Sequence, residues 1–93
     1  MRVYYLEPKD GDVSDPRWAA TAVQEGCWVR ANSEDLARRQ VESSTHTMMK
    51  RNPGWPILFS PWRDPKLTDC RPDIPRLNVP EGIIVTAGGK TFS

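Results

Sequence analysis

The chain has 93 residues, of which 38% are hydrophobic and 27% are charged, and its formal net charge is +1. This length accommodates one folded domain, which we assign to residues 1–93, and the apolar content excludes a wholly disordered chain. No apolar run approaches the roughly 18 residues that a membrane-spanning helix needs, and the even charge balance excludes a strongly basic or acidic tail.

The first half of the chain predicts two strands separated by a short helix. Residues 2–7 are rich in aromatic and β-branched side chains and precede a proline, as strands often do. Asp15 followed by proline is typical of a helix N-terminus, although the same stretch could instead pair as a strand. Residues 27–31 alternate, so that Trp28 and Arg30 point to the face opposite to their smaller apolar neighbours.

A longer helix is predicted over residues 33–50. Asn32 or Ser33 caps it, and two acidic residues occupy its first turn, where the helix dipole favours negative charge. The side chains spaced to form its inward face are Ala37, Val41, Ser44 or Thr45, and Met48.

The chain changes character after this helix, because seven of its nine prolines fall within residues 53–80. Proline excludes a long helix or an interior strand, so we expect an extended wrap with one short edge strand near residues 67–70. Residues 83–86 give the clearest strand pattern, and a Gly-Gly turn then leads into residues 90–92.

Together these elements predict an α+β fold, in which a small antiparallel sheet of three to four strands has one main helix packed on one face. The wrap rich in proline and tryptophan surrounds this pair of layers. The chain has four tryptophans, about three times the usual frequency, and we expect Trp28 in particular to help build the core.

The two cysteines, Cys27 and Cys70, are too few for the disulfide framework of a small secreted domain. The first ten residues include acidic side chains and lack the apolar core of a signal peptide. We therefore expect a cytoplasmic protein of bacterial type with reduced, mostly buried thiols. A disulfide between the two cysteines is the alternative.

No motif in the sequence indicates catalysis or metal binding. The triplet at residues 89–91 resembles the end of a phosphate-binding loop, but Ile84 stands where that loop requires glycine. His46 is the one histidine, and with two widely separated cysteines it cannot complete a tetrahedral zinc site. We therefore predict no catalytic residue, no metal and no cofactor, and the sequence favours a function other than catalysis.

The most distinctive stretch lies within the proline-rich wrap, where five large apolar side chains fall between Trp55 and Trp62. Stiff segments lose little entropy on binding, and tryptophan and arginine are common interface anchors. This pattern predicts a small non-enzymatic interaction module that binds a protein partner or a second copy of itself. The predicted anchors are Trp55, Phe59, Trp62 and Arg63. The alternative is that the stretch folds back as a lid over the sheet or helix.

A weaker alternative is nucleic-acid binding through a basic strip on the long helix and just beyond it. The residues of this strip are Arg38, Arg39, Lys50 and Arg51. Cations beside aromatic rings suit single-stranded nucleic acids, but a chain of charge +1 lacks the usual excess of positive charge, which makes nucleic acid a less favoured partner.

Two stretches of the chain form a recognisable pattern, residues 28–38 (Trp-Val-Arg-Ala-Asn-Ser-Glu-Asp-Leu-Ala-Arg) and residues 61–70 (Pro-Trp-Arg-Asp-Pro-Lys-Leu-Thr-Asp-Cys). In these stretches the chain resembles short uncharacterised proteins from bacterial genomes, which also begin with a Tyr-Leu-x-Pro-like strand. The resemblance implies no activity, cofactor or site, so the functional expectations rest on the residues alone.

Overall fold

The computed structural model describes residues 1–46 and 60–93. This part of the chain forms an α+β fold with one α-helix and one five-stranded antiparallel sheet. The strands are β1 (Arg2–Pro8), β2 (Cys27–Ala31), β3 (Thr68–Asp73), β4 (Ile84–Thr86) and β5 (Thr91–Phe92), and the helix is α1 (Glu34–Thr45).

The strands lie in the order β3-β1-β2-β4-β5, so β1 and β2 form the middle of the sheet. The prediction of three to four strands was therefore too low. Each of the five lies on a stretch that the sequence marked as extended, and the shortest, β5, pairs only two residues with β4 after a tight turn in which Gly89 has a φ of 86°. At the opposite edge, β3 continues through Pro72, because an edge strand tolerates a residue without an N–H donor.

One face of the sheet is buried beneath the helix. From Tyr4 onward in β1 and throughout β2, alternate residues point to this face and are buried, as the pleat of the strands requires. The helix covers them with the side chains of Ala37, Val41 and Thr45, which the sequence placed on its inward face. The predicted fourth member of that face, Met48, lies outside the described residues.

The helix begins as predicted and ends earlier. The Ser33 hydroxyl accepts a hydrogen bond from the Leu36 amide at 3.2 Å, which caps the first turn. After Thr45 the backbone becomes extended at His46, which forms an isolated antiparallel bridge with Thr21. Residues 43–47 are serine, threonine and histidine, whose low helix propensity explains the early end, and residues 47–50 lie outside the described part of the chain.

Two 3-10 helices complete the buried layer. The first, Pro16–Ala20, begins at Asp15, whose carboxylate accepts the Arg17 amide at 2.9 Å, as the Asp-Pro pair predicted. The second is Pro61–Arg63. A third, Lys9–Gly11, follows β1 directly.

Each of the first two 3-10 helices contributes a tryptophan to the core. Trp18 and Trp62 meet edge to face with their ring centroids 5.2 Å apart, an arrangement that aromatic rings favour. Trp28, which we expected in the core, is instead half-buried on the opposite face of the sheet. The reason is the pleat of β2, which buries Cys27 and Val29 and turns Trp28 outward.

The cysteines are free thiols that flank Leu6 on the buried face of the sheet. Because Cys27 lies on β2 and Cys70 on β3, two strand spacings of about 4.8 Å separate their backbones, more than a disulfide can bridge. Burial raises the pKa of Cys27 to about 12 and that of Cys70 to about 11.

Native alkylation with iodoacetamide should therefore be very slow at both cysteines. At pH 8 a thiol with a pKa near 12 is ionised in roughly one molecule in 10,000, whereas an ordinary cysteine is ionised in about a quarter of molecules. We expect mass spectrometry to show two alkylated cysteines in urea and almost none in native buffer. Rapid native modification of Cys27 would contradict the buried position.

Within residues 1–46 and 60–93, the chain has no helix that is both long enough and apolar enough to cross a membrane.

Candidate functional site

The anchors predicted from the sequence do not form one accessible surface in the described part of the chain. Trp55 and Phe59 lie outside the described residues. Trp62 is 0% exposed, so its ring is a core element and the prediction of an accessible anchor there was wrong. Arg63 is exposed, and its guanidinium lies 3.6 Å from the Glu42 carboxylate on the helix.

At Trp62 itself, the environment agrees with the alternative of a lid over the buried layer. Its indole Nε1 donates a hydrogen bond to the Thr21 hydroxyl at 3.1 Å, and that hydroxyl lies 3.0 Å from the Thr45 hydroxyl. The Ser60 hydroxyl accepts the Trp62 amide at 3.3 Å. The ring thus links both 3-10 helices to the end of α1, which fixes it by shape and by hydrogen bonding.

Of the predicted basic strip, the structure describes Arg38 and Arg39, and these two side chains differ in exposure. Arg38 is buried, and its guanidinium donates to the Trp62 carbonyl and to both the hydroxyl and the carbonyl of Thr68. Arg39 is exposed and pairs with Asp35 at 3.1 Å, one helical turn away. Lys50 and Arg51 lie outside the described residues. Arg38 therefore stabilises the fold, because its guanidinium N–H groups donate hydrogen bonds to other buried residues.

Neither of the two cysteines is activated as a nucleophile. The raised pKa values of Cys27 and Cys70 keep both thiols protonated at neutral pH, and His46 is exposed at the end of the helix. Over residues 1–46 and 60–93, no group of three or more His, Cys, Asp or Glu side chains is arranged to hold a metal ion.

The sheet face opposite the helix presents a row of side chains across the strands. Strand pairing sets Tyr5 opposite both Arg71 and Trp28, and Trp28 opposite Val85. These residues alternate with the buried positions of their strands, so they share the uncovered face. Partly buried aromatic residues therefore occupy the centre of a surface that no helix of the described chain covers.

The two rings at the centre are held in fixed positions. Tyr5 and Trp28 lie with their centroids 4.9 Å apart, and the Arg71 guanidinium carbon lies 5.0 Å from the Tyr5 centroid. Arg71 in turn bonds the Glu7 carboxylate at 2.9 Å. On the other side, the indole Nε1 of Trp28 donates to Asp73 at 2.8 Å. We refer to Tyr5, Trp28, Arg71 and Asp73 as the aromatic platform.

A glycine beneath the platform allows Tyr5 its position. A Cβ placed on Gly26 would lie 2.0 Å from the Tyr5 hydroxyl oxygen, which no side chain could tolerate without displacing the ring. Partial burial, together with the nearby Glu7 carboxylate, raises the pKa of the Tyr5 phenol. The phenol therefore stays protonated at neutral pH, and the platform offers a neutral ring pair at its centre.

The charges of the uncovered face are balanced. Its strands carry two arginines, Arg30 and Arg71, and three carboxylates, Glu7, Asp69 and Asp73. Lys9 lies 3.6 Å from Asp69 at its margin. The face as a whole therefore has no excess of positive charge for a phosphate backbone.

A connection from β3 to β4, residues 74–83, borders one end of this face. It must pass β1 and β2, because β4 lies beyond them in the sheet. It is fixed where Val79 is buried and where the Arg30 Nε donates a hydrogen bond to the Val79 carbonyl. The connection is therefore attached to the uncovered face through an arginine of that face.

An open cleft of about 770 Å³ lies between this connection and the sheet. Its lining combines apolar and charged side chains: Arg2, Val3, Arg30, Pro72, Asp73, Ile74, Pro75 and Leu77. Ile74 is 95% exposed, which is unusual for a large aliphatic side chain, and Leu77 is also exposed. The cleft and the aromatic platform share Asp73, so they form one continuous surface, which we take as the candidate functional site.

No family model, curated protein or solved structure matches this chain. The resemblance to short bacterial proteins is therefore not supported by a match, and the site has to be interpreted from its own geometry.

Sequence reasoning missed most of this site. The alternation of residues 27–31 correctly put Trp28 and Arg30 on one face, but we assigned the tryptophan to the core. Tyr5 carried a similar signal, since it alternates with Tyr4 and Leu6 in β1. What the sequence did not contain was the pairing register that brings Tyr5 against Trp28 and Arg71.

Proposed function

We propose that the protein is a small non-enzymatic interaction module that binds a protein partner through the aromatic platform and the adjoining cleft. The observation that carries the proposal is the pair of half-buried rings, Tyr5 and Trp28, fixed on a sheet face that the described helix leaves uncovered. Tyrosine, tryptophan and arginine are the residue types that most often dominate interface energies.

The preorganisation of the rings supports this proposal. Trp28 is held through its Nε1 by Asp73, and Tyr5 is stacked between Trp28 and Arg71. Rings that are already ordered lose little side-chain entropy when a partner covers them, so more of the contact energy remains as affinity. Trp55 and Phe59, which the sequence favoured as anchors, lie outside the described residues and do not enter the argument.

The test is a selection of random dodecapeptides displayed on phage against the immobilised protein, followed by affinity measurement on Trp28→Ala. Loss of a central anchor costs about 2 kcal/mol or more, which corresponds to roughly thirtyfold in Kd. We expect selected peptides to bind Trp28→Ala at least tenfold more weakly than the wild-type protein.

The matched control is Leu36→Ala, which removes an exposed aliphatic side chain from the helix on the other side of the molecule. It should leave peptide binding unchanged, and urea denaturation should show that both variants are folded. Peptides that bind Trp28→Ala as tightly as the wild-type protein would refute the platform as the binding surface, and so would a selection that enriches no sequence.

A further inference from the structure

The cleft beside the aromatic platform combines cationic and aliphatic side chains. Arg2 and Arg30 line it together with Val3, Ile74 and Leu77. Among the described residues, neither arginine has a carboxylate within ion-pair distance, whereas Arg17, Arg38, Arg39, Arg63 and Arg71 each do. Of the other described arginines, Arg76 alone shares this lack of an ion-pair partner, and it does not line the cleft.

Arg30 is oriented by the fold and still has donors to offer. Its Nε donates to the Val79 carbonyl, which fixes the plane of the guanidinium. Its two terminal nitrogens make no hydrogen bond to any residue of the described chain. A fixed guanidinium with free terminal nitrogens matches the planar, two-oxygen geometry of a carboxylate.

The cleft contains one carboxylate of its own, that of Asp73, and one of its oxygens already accepts the Trp28 indole at 2.8 Å. Two arginines against one engaged carboxylate leave the cleft with an excess positive charge. A ligand that complements it carries negative charge, and the exposed Ile74 and Leu77 side chains add a requirement for aliphatic surface.

We propose that the cleft binds an extended segment of a partner protein in which an aspartate or glutamate flanks aliphatic side chains. Arg30, assisted by Arg2, binds the carboxylate, while Val3, Ile74 and Leu77 contact the aliphatic groups. This inference rests on the proposed function, since it names the partner chemistry for the same surface. The cleft is open to solvent rather than enclosed, which suits the binding of an extended chain.

The test uses three labelled octapeptides in fluorescence anisotropy, at low salt. One alternates glutamate with leucine, the second has glutamine for every glutamate, and the third has alanine for every leucine. We expect the first to bind the wild-type protein at least tenfold more tightly than either of the others. We also expect its binding to weaken several-fold as salt rises, because the ion pair is exposed.

Two variants test whether the preference for glutamate over glutamine arises in the cleft. Arg30→Gln and Arg2→Gln should each reduce the preference for glutamate over glutamine at least threefold. Arg2 makes no ion pair within the described chain, so Arg2→Gln keeps the test valid should Arg30→Gln loosen the connection at Val79. The matched control is Lys90→Gln, which removes an exposed positive charge next to β5, at the edge of the sheet farthest from β3. It should leave the preference for glutamate unchanged.

Three results would overturn the inference. The first is equal affinity for the glutamate and glutamine peptides. The second is binding of a twelve-residue oligothymidylate that depends on Arg30 and Arg2 while the acidic peptide fails to bind. The third is self-association, seen by sedimentation, that Arg30→Gln abolishes. If peptides selected at random depend on Trp28 but show no acidic preference, the proposed function stands and this inference alone fails.

Discussion

Trp62→Ala should lower the free energy of unfolding by about 3–5 kcal/mol, the range observed when a fully buried large aromatic residue is truncated. The ring is 0% exposed, meets Trp18 edge to face, and donates its indole proton to Thr21. Truncation leaves a cavity between α1 and the 3-10 helices Pro16–Ala20 and Pro61–Arg63. The Thr21 hydroxyl also loses the indole donor, although it keeps the hydrogen bond from the Val23 amide. Urea denaturation monitored by circular dichroism measures this loss as a shift in midpoint at unchanged slope.

Trp28→Ala is the matched control for this prediction, because it removes the same side chain from the uncovered face. We expect it to cost about 1 kcal/mol, chiefly the contact with Tyr5 across the strands. Domains of this size have free energies of unfolding on the order of 5–14 kcal/mol, so Trp62→Ala removes a large part of the stability. Equal losses for the two variants would contradict the assignment of Trp62 to the core.

Arg38→Ala should be the second most damaging change, with an expected loss of about 2–4 kcal/mol. Its Nη1 donates to the Trp62 carbonyl at 3.0 Å and to the Thr68 hydroxyl at 2.5 Å, and its Nη2 donates to the Thr68 carbonyl at 3.1 Å. Removing the guanidinium takes this donor from the Trp62 and Thr68 carbonyls, whereas the Thr68 hydroxyl still donates to the Pro61 and Asp64 carbonyls. A buried acceptor that loses its donor costs about 1–3 kcal/mol. The same urea denaturation experiment measures the effect.

The neighbouring Arg39→Ala provides the control, since Arg39 is exposed and pairs with Asp35 within one turn of the same helix. Exposed pairs of this kind contribute about 0.3–0.5 kcal/mol, so the losses for the two adjacent arginines should differ by about 1.5 kcal/mol or more. If Arg38→Ala and Arg39→Ala lowered the free energy of unfolding by the same small amount, the buried guanidinium would not hold Trp62 and Thr68 together.

Local pattern was sufficient to predict much of the fold. The strand at residues 27–31, the Asp15 cap and the inward face of α1 all depend on residues close in sequence, and the structure confirms them. β5 was predicted from the Gly-Gly turn that precedes it rather than from its own residues. Its two residues carry too little pattern to distinguish a strand from an extended terminus.

The burial of Arg38 and Trp62 could not be predicted in the same way. The carbonyl groups that satisfy Arg38 come from residues 24 and 30 positions away, and nothing near Arg38 in sequence indicates them. Trp62 lies in a stiff, proline-rich stretch that reads equally well as an exposed anchor or a lid. Its position was decided by Thr21, 41 residues earlier, which offers the indole a buried acceptor.

The candidate site also depends on contacts between residues that are far apart in sequence. Tyr5 and Trp28 are 23 positions apart, and only the antiparallel register of β1 and β2 sets them side by side. Ile74 and Arg30 face one cleft because the connection at residues 74–83 borders the end of the uncovered face. Each strand pattern was visible in the sequence, but the surface that the strands build together was not.

The most direct test of the central claim is an NMR titration of the nitrogen-15 labelled protein with a peptide selected for binding, monitored at the four tryptophan indole N–H signals. We predict that the Trp28 signal shifts strongly on binding, since its indole lies on the aromatic platform, while Trp18 and Trp62 in the core hardly move. A titration that shifts Trp55 and leaves Trp28 unchanged would contradict the account and return the binding surface to the proline-rich stretch.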